Sequence, residues 1–174
     1  MNECRLIVPH ADYETSHRTF LEEFAARGEG VVPWIVAEPY ATFQAYVAMM
    51  EAASRGIGLR DGAVPHSTFW WVDANHEILG VSNLRHRLTD RLAKFGGHIG
   101  YGVRPSARKV GNATELLRAT LVEARGLGLR RVLLTCDKRN VASAKAILRS
   151  GGVLEEGEFM AEYDRVVCRY WIEL

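Results

Sequence analysis

Residues 98–114 read HIGYGVRPSARKVGNAT, and the structure that they predict organises the rest of the chain. Residues 98–103 are typical of a β-strand, which ends at Pro105 because proline cannot continue the pairing. Apolar residues at three- and four-residue spacing then predict a helix over 111–126. The apolar run RVLLTC at 131–136 predicts a buried strand. A right-handed crossover would make these two strands parallel neighbours.

Shorter patterns on both sides of this β-α-β unit predict the remaining elements. Asp12, Thr42 and Asn140 suit helix N-termini, because their side-chain oxygens can accept hydrogen bonds from the first turn. Residues 85–96 are polar and fit either one helical turn or a loop. Further strands are predicted at 6–8, 67–72, 78–84, 153–160 and 166–173. The sequence therefore predicts an α/β fold, a single domain over 1–174 with a mixed sheet.

Composition and charge exclude several classes of protein. The 174 residues are 48% apolar and 25% charged, with a formal net charge of +1. This balance gives no field that would steer the chain to nucleic acid or to a membrane surface. Three scattered cysteines and six dispersed histidines form neither a C-x-x-C pair nor an H-E-x-x-H site, so no metal is expected. We see no signal peptide and no run of about 20 apolar residues, so we expect a cytoplasmic protein.

The junction between the strand and the helix has the chemistry of an anion site. The first N–H groups of a helix lack partners and lie at the positive end of its dipole. Gly111 and Ala113 are small enough to let a diphosphate approach the backbone, and Arg108 and Lys109 add two cations. A helix start with ordinary surface charge is the alternative, and local chemistry alone does not separate the two.

Two other phosphate-binding folds fit this segment poorly. Gly100 and Gly102 begin a G-x-G-x-x-G fingerprint, but its third glycine position is occupied by Pro105. Both glycines also fall inside the strand and not in the turn after it. The Gly-Lys-Ser/Thr ending of a P-loop is absent from the segment. Dinucleotide-binding and P-loop folds are therefore not favoured.

The segment Arg108-Lys109-Val110-Gly111-Asn112-Ala113 fits the pattern Arg/Gln-x-x-Gly-x-Gly/Ala, and with it the chain resembles the GCN5-related N-acetyltransferase (GNAT) family. Residues 99–105 resemble the fourth strand of that family, and residues 133–136 resemble its fifth strand. Asn140-Val141-Ala142-Ser143 is similar to the entry to its fourth helix, which Gly151-Gly152 would end. The order of elements matches from residue 4 to residue 174.

This resemblance implies a mostly antiparallel sheet with flanking helices, in which parallel strands four and five splay apart. Acetyl-CoA is the implied cosubstrate, with its pantetheine arm pairing with strand four like an added strand. Backbone groups of strand four would hold the arm, the helix start would hold the pyrophosphate, and the next helix would contact the arm again. The residues implied are Tyr101, Gly102, Val103, Arg108, Lys109, Val110, Gly111, Asn112, Ala113, Thr114, Asn140 and Ser143.

The activity implied by the resemblance is acetyl transfer to a primary amine by direct attack on the thioester. That reaction needs a base for the amine proton and an acid for the departing thiolate. Many members supply the acid from a tyrosine in the fourth helix, but this position is Ile147. His98 and Tyr101 on strand four are the remaining candidates, although a strand histidine is more often structural. Cys136 is a possible acetyl carrier, but a bland buried thiol is the simpler interpretation.

In this family the acceptor site lies between the loop after the first helix and the last hairpin. Here that suggests Trp34 and Tyr40, with Arg85 as a contact for an acidic group on the substrate. The acidic hairpin around 162–164 would suit a cationic amine. The acceptor is then a small amine, an antibiotic amino group or a protein N-terminus, and homodimers are common for such folds. Two other functions stay open: a non-catalytic coenzyme A-binding module, and an interaction domain with an accidental anion site.

Overall fold

Two antiparallel sheets form the framework of the computed structural model, which describes residues 4–174 apart from the side chains of Glu156 and Tyr163. The first sheet has the order β1-β2-β3-β4, with strands Arg5–Ile7, His66–Val72, Ile78–Arg85 and Ile99–Val103. The second has the order β5-β7-β6, with strands Arg131–Asp137 (β5), Val153–Met160 (β6) and Arg165–Glu173 (β7). The predicted hairpin of β2 and β3 is present, and β7 lies between β5 and β6.

Five α-helices flank these sheets in the described residues: α1 Glu14–Ala26, α2 Phe43–Ser54, α3 Asp90–Lys94, α4 Asn112–Gly126 and α5 Val141–Arg149. Two of the predicted caps are present. Thr42 Oγ1 accepts from the Ala45 N–H at 3.2 Å, and Asn140 Oδ1 accepts from the Ser143 N–H at 3.0 Å. The third differs, because a 3₁₀ turn precedes α1 and its cap is His10 instead of Asp12. No described helix is long and apolar enough to cross a membrane.

Strands β4 and β5 approach each other at one end and belong to different sheets. The His98 N–H donates to the Leu133 carbonyl at 2.7 Å, and the Leu133 N–H donates to His98 Nδ1 at 2.9 Å. The Leu133 N–H is thus bonded to the His98 ring and not to a backbone carbonyl of β4. No ladder of backbone hydrogen bonds joins β4 to β5 in the described chain. The direct parallel pairing expected from the crossover is therefore not observed there.

One hydrophobic core cluster extends across both sheets beneath α4 and α5, and a second lies between the first sheet and helices α1 and α2. Helices α4 and α5 contribute to a cluster that contains residues of both sheets, among them Leu84, Leu117, Leu134, Ile147 and Ile172. On the opposite face of the first sheet, α1 and α2 pack on β2 and β3 through a mostly aromatic cluster that includes Phe20, Phe43, Tyr46 and Trp70. The opening between β4 and β5 is thus held between two well-packed halves.

Candidate functional site

The connection from β4 to α4 forms an open turn at the start of a 15-residue helix. Lys109 and Gly111 both have left-handed backbone conformations, with φ of 68° and 96°. A Cβ built at Gly111 would meet nothing within 4 Å, so glycine is favoured there by its backbone angle and not by crowding. This conformation leaves the turn uncovered in front of the helix.

The backbone N–H groups at this turn are free to bind an anion. The Thr114 and Glu115 N–H groups donate to the Gly111 carbonyl at 2.9 and 3.2 Å, and within the described residues no hydrogen bond is found from the N–H groups of residues 111–113. The Asn112 side chain is occupied elsewhere, because it donates to the Ala107 carbonyl at 3.0 Å and accepts from Trp71 Nε1 at 3.2 Å. Asn112 therefore fixes the turn to the first sheet while the N–H groups remain available, which is the geometry of an anion site at a helix N-terminus.

The two cations of the motif, Arg108 and Lys109, differ in whether their charge is already paired within the protein. Lys109 is exposed, and no ion pair is found for it in the part of the chain that the structure describes. The Arg108 guanidinium instead donates to both carboxylate oxygens of Glu29, at 3.1 and 2.6 Å. The sequence did not reveal this partner, which lies far from Arg108 along the chain.

The free edge of β4 is lined by backbone groups of alternate residues. Val103 lies opposite Gly80, and the Arg104 N–H donates to the Leu79 carbonyl at 2.9 Å. In an antiparallel ladder this pattern turns the N–H and C=O groups of Val103, and two residues earlier of Tyr101, away from β3. They lie on the edge of β4 that faces the opening toward β5. The Val103 carbonyl there already accepts from Arg108 Nε at 3.0 Å, which leaves the Tyr101 groups and the Val103 N–H for an extended ligand.

A polar cluster lies on the α5 side of the same opening. The Tyr101 hydroxyl donates to the Ser143 carbonyl at 3.2 Å and lies 3.0 Å from Ser143 Oγ. The Cys136 thiol lies beside the side chains of Ser143 and Tyr170, which act against the effect of burial on its pKa. Burial raises the pKa of Tyr101 to about 12 and that of Cys136 to about 11. Both groups therefore keep their protons at neutral pH.

The predicted base and the usual acid position have structural roles. His98 is buried, and its Nδ1 accepts the Leu133 N–H, so the neutral ring carries its hydrogen on Nε2. Burial, with a smaller contribution from Arg85, lowers the pKa of His98 to about 4. Neither ring nitrogen can accept a further proton without breaking this contact. Ile147 is fully buried in the core between the sheets.

The predicted acceptor residues divide into exposed aromatics and an engaged arginine. Trp34 is 55% exposed and Tyr40 is 39% exposed, and the Arg60 guanidinium lies 5.2 Å from the Trp34 ring. Arg85 donates to the Gly96 and Gly97 carbonyls at 3.1 Å each, so its guanidinium braces the turn before β4. In the hairpin, Glu162 lies 4.0 Å from Arg91, whereas the Tyr163 side chain lies outside the described part of the structure.

The loop that carries Trp34 reaches β4 itself. Gly100 and Gly102 face the side of β4 opposite Tyr101, and a Cβ at Gly102 would overlap the Val32 carbonyl oxygen. A Cβ at Gly100 would lie 3.4 Å from Pro33 Cβ. Sequence reasoning placed this loop near the acceptor but did not identify the contact. The available signal was the pair of glycines inside a strand, which marks a close approach of another backbone.

A family model for the acetyltransferase (GNAT) domain matches residues 5–153. No curated protein matches the sequence. Among the residues that the structure describes, no group of three or more His, Cys, Asp or Glu side chains that could hold a metal is found.

Solved structures share the fold at low sequence identity. The acetyl transferase from Salmonella typhimurium that modifies the N-terminal serine of a 50S ribosomal subunit protein is 18% identical, with a TM-score of 0.67 over 98% of this chain and 95% of that chain. The ribosomal-protein acetyltransferase RimL in complex with coenzyme A is 18% identical, with a TM-score of 0.67 over 98% and 94%. A spermidine N-acetyltransferase from Vibrio cholerae is 18% identical, with a TM-score of 0.61 over 98% and 94%. The family model spans most of the sequence, and the protein therefore belongs to the GNAT acetyltransferase family.

Proposed function

We propose that the protein transfers the acetyl group of acetyl-CoA to a primary amine. The observation that carries this proposal is the continuity of two binding features. The edge of β4 that faces the opening, with the backbone groups of Tyr101 and the Val103 N–H, leads to the N–H groups of residues 111–113 at the start of α4. An extended pantetheine arm pairs with the first feature and a diphosphate binds the second.

The residues of this chain fit such a ligand in chemistry as well as in position. Lys109 supplies an exposed positive charge beside the diphosphate, and Gly111 keeps the turn open. Asn140 stiffens the start of α5 by capping it, and Ser143 faces the opening through its contact with Tyr101. Of the remaining residues of the motif, Arg108 is bonded to Glu29 and Val103, and the Thr114 N–H donates to the Gly111 carbonyl at 2.9 Å.

In the proposed reaction Tyr101 acts as the acid. The ammonium group first loses a proton to water, and the neutral amine nitrogen then forms a bond to the carbonyl carbon and passes its second proton to water as the carbon–sulfur bond breaks. The Tyr101 hydroxyl gives its proton to the departing thiolate and regains one from solvent, so the products are the amide, free coenzyme A and one proton. The raised pKa of Tyr101 keeps the hydroxyl protonated before the reaction. The neighbouring Ser143 Oγ at 3.0 Å can return a proton to Tyr101 from water. This arrangement takes over the task that a tyrosine at position 147 performs in many relatives.

The acceptor is proposed to approach over the loop that contains Trp34 and Tyr40. Two exposed aromatic rings favour an amine that is protonated when it arrives, through cation–π attraction. The enzymes with similar folds act on a protein N-terminus and on spermidine by name, which supports a peptide amine or a small polyamine as the first acceptors to test. A cytoplasmic location, a homodimer and a single domain over 1–174 remain predictions.

Thermal unfolding with acetyl-CoA, followed by a thiol-release assay, tests the proposal. A ligand at about 100 times its Kd should stabilise the native protein by about 2.7 kcal/mol. The variant Gly111→Asp places a carboxylate at the turn and should lose this shift. Gly128→Asp is the matched control, because Gly128 has a similar φ of 80° in equally open space outside the site. Binding without thiol release from spermidine or a serine peptide would favour the non-catalytic module, and no binding at millimolar acetyl-CoA would overturn the proposal.

A further inference from the structure

The first residue of the cofactor motif has each of its three guanidinium nitrogens hydrogen-bonded to a group of the protein. Arg108 Nη1 and Nη2 donate to the Glu29 carboxylate, and Nε donates to the Val103 carbonyl at 3.0 Å. The guanidinium also lies 5.3 Å from the centre of the Phe24 ring. A planar guanidinium can satisfy a carboxylate, a carbonyl and an aromatic face at once, and a lysine cannot. These contacts bind the side chain to the end of α1.

Glu29 begins the segment that covers β4. Three residues later, the Val32 carbonyl lies against Gly102, so that the segment and the strand are in van der Waals contact. The hydrogen bonds from Arg108 lower the pKa of Glu29, which keeps its carboxylate ionised. The two side chains are 36% and 38% exposed, so solvent only partly screens their attraction. The ion pair therefore ties residues 29–33 to the strand that ends at Val103.

A second set of contacts holds the same two parts of the chain together. The Glu23 carboxylate accepts from the Ser106 N–H at 3.1 Å and from Ser106 Oγ at 3.0 Å. Arg104, which is buried, donates to Thr19 Oγ1 at 3.0 Å and has Nε 3.2 Å from Glu23. Because this second set anchors α1 independently, loss of the Arg108–Glu29 pair is expected to release residues 29–33 without detaching the helix.

We propose that Arg108 is a positioning residue: through Glu29 it holds residues 29–33 against β4, and thereby shapes the acceptor side of the site. This inference rests on the proposed function for its link to catalysis. Lys109 and the backbone N–H groups bind the diphosphate without the Arg108 side chain. Breaking the pair then weakens the productive binding of the amine and leaves the affinity for acetyl-CoA almost unchanged.

Steady-state kinetics and calorimetry of Glu29→Gln, Arg108→Gln and the double variant test this inference. Each variant should raise the KM for the amine about five-fold, the size expected for loss of a partly exposed ion pair. The double variant should be no worse than Arg108→Gln alone, because the Glu29 carboxylate acts only through Arg108. The Kd for acetyl-CoA should change less than two-fold. Glu22→Gln, on the exposed face of α1, is the matched control and should change neither quantity.

A different pattern would overturn the inference. If Arg108→Gln weakens acetyl-CoA binding ten-fold or more while Glu29→Gln leaves the amine KM unchanged, Arg108 is a phosphate ligand. Hydrogen exchange supplies a readout that needs no turnover: amides of residues 29–36 should exchange faster in Glu29→Gln than in Glu22→Gln. If the wild type releases no thiol, the proposed function fails, and this exchange experiment still decides whether the pair holds the segment. Equal exchange in the two variants would refute the positioning role.

Discussion

The hydroxyl of Tyr101 lies 3.0 Å from Oγ of Ser143, so a side chain of β4 contacts the first turn of α5 across one side of the opening. The contact connects a strand edge proposed to bind pantetheine with a helix capped by Asn140. It also brings a protonated hydroxyl to the place where a thiolate would leave. Under the proposed function this hydroxyl takes the role of the acid, because the helix position that carries a tyrosine in many family members is Ile147.

Replacing Tyr101 by phenylalanine should therefore lower kcat by about 100-fold, the usual effect of losing a positioned acid. The Kd for acetyl-CoA should stay within two-fold, because Tyr101 is proposed to bind the arm through its backbone. Tyr46→Phe is the control, since Tyr46 is buried in the other core cluster and its hydroxyl has no hydrogen-bond partner in the described structure. Full kcat in Tyr101→Phe would exclude the hydroxyl as the acid.

His98 should make the folded protein sensitive to acid. Its pKa falls from an ordinary 6.5 to about 4 on folding, because burial opposes the charged ring. Between these values the unfolded chain binds a proton that the folded protein excludes, so stability is lost as pH falls from 6.5 toward 4. The titration of His98 alone should lower the free energy of unfolding by about 2 kcal/mol between pH 7 and pH 5.

Urea unfolding at these two pH values checks this expectation. His98→Asn keeps an acceptor for the Leu133 N–H but cannot titrate, so its stability should fall less than that of the wild type. His10→Asn, at an exposed histidine, should behave like the wild type. An equal loss of stability in His98→Asn and the wild type would contradict the assignment.

Gly102→Ala should disturb the acceptor side because the new methyl group overlaps the Val32 carbonyl. Overpacking of this kind costs about 1–3 kcal/mol, and relief requires residues 31–33 to move away from β4. Turnover should fall together with stability. Gly100→Ala meets Pro33 at an ordinary contact distance of 3.4 Å and should be tolerated. Thermal unfolding and thiol release measure both effects, and equal stability of the two variants would refute the close approach.

Ile147→Tyr should not restore the acid found in many relatives. Ile147 is fully buried between the sheets, so a tyrosine there would overpack the core at a cost of about 1–3 kcal/mol. Leu148→Tyr, at a neighbouring position that is 53% exposed, should be nearly neutral. A gain in kcat for Ile147→Tyr would mean that the ring reaches the opening and that the core yields.

Local patterns predicted what depends on neighbours in sequence. Thr42 and Asn140 cap their helices, and Gly111 lies at the turn, because capping and backbone angle are decided within a few residues. Long-range contacts were not predictable in the same way. The insertion of β7 between β5 and β6, and the pairing of Arg108 with Glu29, depend on which segments meet in space. His98 was predicted to be on its strand but lies one residue before β4, where its contacts with Leu133 fix the direction of its ring.

Across the described residues, β4 and β5 touch only at the end where His98 contacts Leu133, and this makes the proposed site sensitive to a glycine that lies outside it. Gly97 has a φ of 61°, and a Cβ there would press on the Leu133 carbonyl at the apex of the opening. Because β4 and β5 are in contact only at this end, a displacement here separates them further along their length, and Tyr101 lies about 13 Å farther along the chain. An alanine at position 97 would thus widen the opening between β4 and β5 and lower kcat, although its methyl group lies far from the proposed reaction centre.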